Sequence, residues 1–175
     1  MEKRFLEFLK IEELENSLLL EQAYCYPAKG CYKARLPLSY SLMEFATYIK
    51  AKAKVLLYEP EKYIVFNLQY KKKTYKVFLE EKELRWAIVE DREEAKEVLR
   101  YLLEIFLELF QKKDELTPDF NPIKRPPALE IYKGLPKTNC KECGEISCLA
   151  FAIKLSMAEV EVSQCPYIKG KFEGF

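Results

Sequence analysis

Four of the chain's nine prolines fall in one run, Thr117-Pro118-Asp119-Phe120-Asn121-Pro122-Ile123-Lys124-Arg125-Pro126-Pro127. Proline fixes φ, removes a backbone donor and pushes its predecessor out of the helical region, so neither a helix nor a central strand can run through such a stretch. The 175-residue chain is therefore expected to fold as two pieces joined by an extended connector. Residues 1–116 form the first piece, 117–127 the connector and 128–175 the second. The first is long enough for an ordinary hydrophobic core; the second is too short to bury much apolar surface. Cysteine is divided unevenly between them. Cys25 and Cys31 lie before the connector, whereas Cys140, Cys143, Cys148 and Cys165 lie after it.

The first piece reads as α+β. Leu42, Phe45, Ala46, Ile49 and Ala53 follow helical spacing behind Ser39 or Ser41, either of which can serve as the cap. Strand-like runs follow at 55–58, 63–70, 74–79 and 84–89, at the spacing of an antiparallel meander. Lys71, Lys72 and Lys73 sit at a hairpin tip and are expected to be solvated. Asp91 is a plausible N-cap for a helix over 92–113. Its apolar stripe (Ala95, Val98, Leu99, Leu102, Leu103, Phe106, Leu109 and Phe110) is expected to lie across one face of the sheet. The tyrosines and phenylalanines sit mostly at core spacing, with no basic groove beside them.

Charge and composition exclude several classes. Lys and Arg number 29 against 28 Asp and Glu, so no cationic excess marks a nucleic-acid binder, and no nucleic-acid partner is expected. The chain contains no histidine, which removes His-dependent triads, His-ligated zinc hydrolases and facial-triad iron oxygenases. No other catalytic constellation is visible, and the chain is not expected to be an independent enzyme. The N-terminal residues carry charges every few positions and lack the apolar core of a signal peptide. The most apolar stretch, 101–110, contains Glu104 and Glu108 and is too short to span a bilayer. A cytoplasmic location without membrane insertion is expected, and in that reducing setting cysteines favour metal ligation over disulfides. The 23 Lys and 25 Glu against 4 Gln and 4 Asn resemble the composition of thermophile proteins, in which cytosolic disulfides also occur. Cys25 and Cys31, a C-x5-C pair, cannot complete a four-ligand site alone. They read as buried thiols or a local disulfide, or as a share in a metal site.

The second piece holds C-x2-C-x4-C-x16-C-P, formed by Cys140, Cys143, Cys148, Cys165 and Pro166. Four soft thiolates can hold one tetrahedral zinc or one iron each of a [4Fe–4S] cube. Zinc ribbons usually present two separated C-x2-C knuckles. Three thiolates close together with a distant fourth suit the wider cube. Gly144 permits the loop's turn and a close approach of backbone to the cluster. Pro166 stops the chain after the last ligand, as in ferredoxin-type Cys-Pro endings. Residues 149–157 are apolar nearly all round, so this helix is expected to be buried on most sides, against a helix starting near Ala128. Lys137 and Lys141 flank the first cysteine, as charges that favour a reduced cluster or as solvated surface groups.

The segment resembles the small [4Fe–4S] domain found in the corrinoid iron–sulfur protein large subunit and in one component of Rnf-type electron-transport complexes. The resemblance rests on Leu135, Pro136, Asn139, Cys140, Cys143, Gly144, Cys148, Ala150, Phe151, Ala152, Cys165 and Pro166 and covers roughly residues 128–168. It departs at 156–161, where family members often carry glycine. It implies that Cys140, Cys143, Cys148 and Cys165 ligate a [4Fe–4S] cluster in a small, mostly helical domain. The implied role is one-electron transfer to a redox partner protein, a corrinoid protein or another anaerobic redox enzyme. The corrinoid-binding and barrel domains of the corrinoid proteins have no room here, so the acceptor is expected on another protein. The alternative is a structural or interaction module, in which the cluster or a zinc ion staples the C-terminal segment and the N-terminal domain binds a partner.

Overall fold

A computed structural model describes residues 5, 9–23 and 31–168; the reading of Cys25 lies outside them. The chain divides into two compact units, Met1–Pro122 and Ile123–Phe175. The division falls inside the proline run, and each half of that run is held by its own unit. In the first, Lys50 Nζ lies 2.9 Å from Asp119 and 2.5 Å from the Asn121 carbonyl oxygen, and the Asp119 N–H donates to the Thr47 carbonyl at 3.0 Å. In the second, the Arg125 guanidinium donates to the Leu155 carbonyl at 3.0 Å.

Among the described residues of the first unit, six strands form one antiparallel sheet: β1 (Leu19–Gln22), β2 (Tyr32–Pro37), β3 (Lys54–Glu59), β4 (Tyr63–Tyr70), β5 (Lys73–Glu80) and β6 (Glu83–Val89), in the order β1-β2-β6-β5-β4-β3. Strands β3 to β6 are the expected meander. β1 and β2 extend it beyond the sequence reading. β2 had a readable alternation, with Ala34 and Leu36 buried and Lys33, Arg35 and Pro37 less so; β1 had none, being mostly exposed. The pleat places alternate side chains on one face, and the register aligns Leu36, Leu84, Leu79 and Ile64 in one buried row and Ala34, Trp86, Val77 and Phe66 in the next. The β3–β4 register shifts between Val55 and Leu57, a break of the bulge type.

Helix α1 (Ile11–Asn16) precedes the sheet, and a 3-10 turn (Met43–Phe45) leads into the single-turn α2 (Ala46–Ile49). The expected helix through Ala53 is thus shorter. Thr47 and Ile49 are β-branched and weak helix formers, and the chain must turn before β3 at Lys54. Ser41 does not cap α2; its Oγ accepts the Met43 N–H at 3.3 Å. Helix α3 (Arg92–Gln111) matches expectation. The Asp91 carboxylate accepts the Glu94 N–H at 2.8 Å, and Ala95, Val98, Leu99, Leu102, Leu103, Phe106 and Leu109 are buried. The helix is pinned to the β4–β5 hairpin, because Lys71 pairs with Glu97 and Lys73 with Glu94, both at 2.7 Å, and Tyr75 donates to Glu94 at 2.6 Å. Lys71 and Lys73 are therefore ion-paired across to the helix rather than merely solvated; Lys72 is exposed.

The second unit is built on α4 (Ala128–Gly134) and α5 (Cys148–Ser156), which pack on one another. Its core gathers Ile131 and Leu135 from the α4 side, Cys148, Phe151, Ala152 and Leu155 from α5, and Val160, Cys165 and Ile168 beyond. α5 is less buried than expected. Leu149, Ile153 and Met157, at i, i+4 and i+8, remain 41%, 44% and 54% exposed. One side of the helix faces this small core, and a unit of this size has too few elements to cover the other.

Candidate metal centre

The loop between α4 and α5 and the start of α5 carry three of the four C-terminal cysteines. Cys140 is exposed, Cys143 half-buried and Cys148 buried at the first position of α5; the buried Cys165 follows a 3-10 turn (Val162–Gln164). All four line one concavity with Leu135, Asn139 and Phe151. The sequence-derived set is thus brought together, three cysteines from one stretch and Cys165 from beyond α5. Cys31 is not part of it. Among the described residues, no three His, Cys, Asp or Glu side chains close on a point as a single ion requires. The cysteines border a small concavity that opens to solvent.

The loop's backbone explains how short-range sequence achieves this. Lys137, Asn139, Lys141 and Gly144 all have positive φ, at 60°, 51°, 65° and 84°. Left-handed residues alternating with right-handed ones can turn successive N–H groups toward a common side, the geometry that makes anion-binding concavities at many iron–sulfur sites. A Cβ on Gly144 would meet no atom of the chain within 4 Å, so the backbone conformation, and not a close approach by neighbouring chain, is what favours glycine here.

Local contacts fix the ligand-bearing arms. Ser147 caps α5 by accepting the Ala150 N–H at 3.1 Å, and the Asn139 Oδ1 accepts the Cys148 N–H at 2.8 Å. Glu145 pairs with Lys154 at 2.8 Å, and the Tyr167 hydroxyl donates to Glu142 at 2.7 Å, joining the Cys165 arm to the Cys140–Cys143 turn. Lys137 Nζ lies 5.4 Å from the Tyr132 ring centroid, a cation–π contact directed to α4. Burial pushes the Cys165 thiol pKa up, with a backbone hydrogen bond at Tyr167 opposing, and Cys143, Cys140 and Cys148 add to the rise because negative charge would accumulate among them. With no histidine in the chain, the four neighbouring cysteines make a donor set that is all sulfur, which suits iron–sulfur ligation. The cysteines and the left-handed loop therefore fit an iron–sulfur cluster. Sequence reasoning noted Asn139 only as part of a motif and passed over Ser147. Ser147 was findable as a serine directly before an apolar run, and Asn139 as a residue tolerant of left-handed backbone.

Residues 135–167 match the family model described as "Putative Fe-S cluster". The acetyl-CoA decarbonylase/synthase complex subunit gamma of Methanocaldococcus jannaschii is 55% identical over 51 residues, covering 29% of this chain and 10% of that protein. The corrinoid/iron-sulfur protein large subunit of Moorella thermoacetica is 55% identical over 40 residues, covering 23% of this chain and 9% of that protein. The Methanosarcina acetivorans subunit gamma is 58% identical over 38 residues, 22% of this chain and 8% of its own. The chain thus spans about a tenth of the length of these curated relatives. No solved structure matches. The C-terminal region accordingly carries an Fe–S cluster family domain similar to segments of the corrinoid/iron-sulfur protein large subunit and the acetyl-CoA decarbonylase/synthase gamma subunits.

Proposed function

We propose that Cys140, Cys143, Cys148 and Cys165 ligate a [4Fe–4S] cluster in a small helical domain, and that the chain passes single electrons to a partner protein without catalysing a reaction of its own. The observation that carries this reading is the meeting of the four cysteines around one concavity under a left-handed loop. The spacing supports a cube over zinc, because a cube needs room where a lone ion needs tight convergence. When bound, such a cluster supplies one-electron redox chemistry.

The residues' part is to hold and shield. Cys148, Cys165 and Phe151 enclose the inner side, while Cys140 and Lys141 leave the outer side near solvent, where a partner can approach. Two relatives are named as subunits of a complex, which supports a protein partner, with a corrinoid protein or a related redox subunit as the first to test. A cytoplasmic setting keeps the thiols reduced and available. No helix among the described residues is long and apolar enough to cross a membrane.

The test is anaerobic purification with iron and sulfide analysis, followed by reductive titration. Four irons and four sulfides per chain, about one electron taken up reversibly, and loss of iron in each of Cys140→Ala, Cys143→Ala, Cys148→Ala and Cys165→Ala are expected, with Cys31→Ala unaffected. Zinc in place of iron refutes the cluster. A full cluster with no accessible reduction refutes electron transfer and leaves the structural staple, a reading favoured by the presence of two of the ligands, Cys148 and Cys165, in the core itself.

A further inference from the structure

We infer that Asn139 is a positioning residue: through its side-chain carbonyl it locks the Cys140 arm to the Cys148 arm. The inference rests on the cluster reading above and assigns a role that the four cysteines alone do not explain. Asn139 directly precedes Cys140, and its Oδ1 accepts the N–H of Cys148 at 2.8 Å, a bond across nine residues. Cys148 is the first residue of α5, where a helix leaves its N–H groups without intrahelical partners. Ser147 satisfies the N–H of Ala150 from within the helix start. The N–H of Cys148 is satisfied from outside, by the residue next to another ligand. One hydrogen bond thereby fixes the separation between two ligand-bearing backbones.

Asparagine suits this position for two reasons at once. Its φ of 51° is left-handed, between left-handed Lys137 and Lys141, and asparagine tolerates that region better than most side chains. It also presents an uncharged acceptor at short reach, which glycine cannot. The two demands are separable by substitution. Asn139→Gly keeps the backbone conformation and loses the acceptor, Asn139→Asp keeps a short oxygen acceptor, and Asn139→Ala loses both.

The experiment compares full-length wild type and these three variants, purified anaerobically, for iron release to a chelator and for the electron paramagnetic resonance spectrum of the reduced cluster. Loss of a partner that orients a ligand typically lowers metal affinity 10–100-fold. Asn139→Gly and Asn139→Ala are therefore expected to release iron about 10–100-fold faster with a broadened spectrum, while Asn139→Asp keeps the Cys148 amide near wild-type exchange. Release from Asn139→Gly at the wild-type rate overturns the inference, since backbone conformation alone then suffices. Hydrogen exchange at the Cys148 amide in chelator-treated chain gives an iron-independent readout. Faster exchange in the Gly and Ala variants supports the lock, and equal exchange in all four overturns it. Wild type that takes up no iron refutes the cluster reading, and the Cys148 amide then still decides whether Asn139 joins the two arms.

Discussion

Leu155→Ala isolates how much of the second unit is held by packing and how much by its cofactor. Leu155 is buried on the core side of α5, and it is absent from the concavity lining. Removing it takes about 1.5–3 kcal/mol of burial and leaves a cavity, for a total of about 2–5 kcal/mol. A core of this size rarely supplies more than about 3–5 kcal/mol. The metal-free variant should therefore be largely unfolded beyond Ile123, whereas ligation, which binds only the folded arrangement, should restore it. Hydrogen exchange with and without chelator, under anaerobic conditions, reads this directly. Residues 123–168 should be protected in the loaded variant and exchange rapidly in the stripped one, with β3–β6 as the internal reference. Equal protection of stripped variant and stripped wild type would refute the reasoning, because the small core would then not be what holds the unit.

Two predictions concern the first unit. Asp91→Ala removes the oxygen that accepts the Glu94 N–H at the start of α3 and should lower the stability of the unit by about 1 kcal/mol in urea unfolding, within a range of about 0.5–2; no change would deny the cap its role. Glu108 lies between Lys112 at 2.8 Å and Lys52 at 2.6 Å, and these hydrogen bonds hold its carboxyl down at about 2 against an ordinary 4.5. A folded value below the unfolded one means that the stabilisation is present above about pH 4.5 and is lost as pH falls toward 2. Carboxyl NMR should show the low midpoint in wild type and a higher one in Lys112→Ala; a wild-type midpoint near 4.5 would contradict the pairing.

Legibility in the sequence followed the strength of the periodic signal. β4 lay where its strand-like run put it, and α3 was announced by both stripe and cap. β2 carried an alternation over few residues and ended in Pro37, while β1, exposed along most of its length, had no pattern to read. The four site cysteines were legible because spacing alone limits what four thiols can bind. The contacts that hold them were not, since Asn139 to Cys148 and Tyr167 to Glu142 depend on loop conformation that no periodicity encodes. The exposed side of α5 was misread for a related reason. An all-apolar run states what could be buried, and the unit's size decides how much is.

The irregular edge of the sheet bears on how this protein behaves when crowded. A six-stranded antiparallel sheet has two outer strands, and an exposed, flat, regular edge is a template on which another chain can add its own strand. Here one outer strand, β1, offers only four residues, and the other, β3, opens with Lys54 and is broken in register between Val55 and Leu57. A short strand gives few backbone groups to recruit, and a bulge twists its edge away from a straight neighbour. Among the described residues the sheet thus ends on both sides in strands of the kind that disfavour strand-by-strand growth.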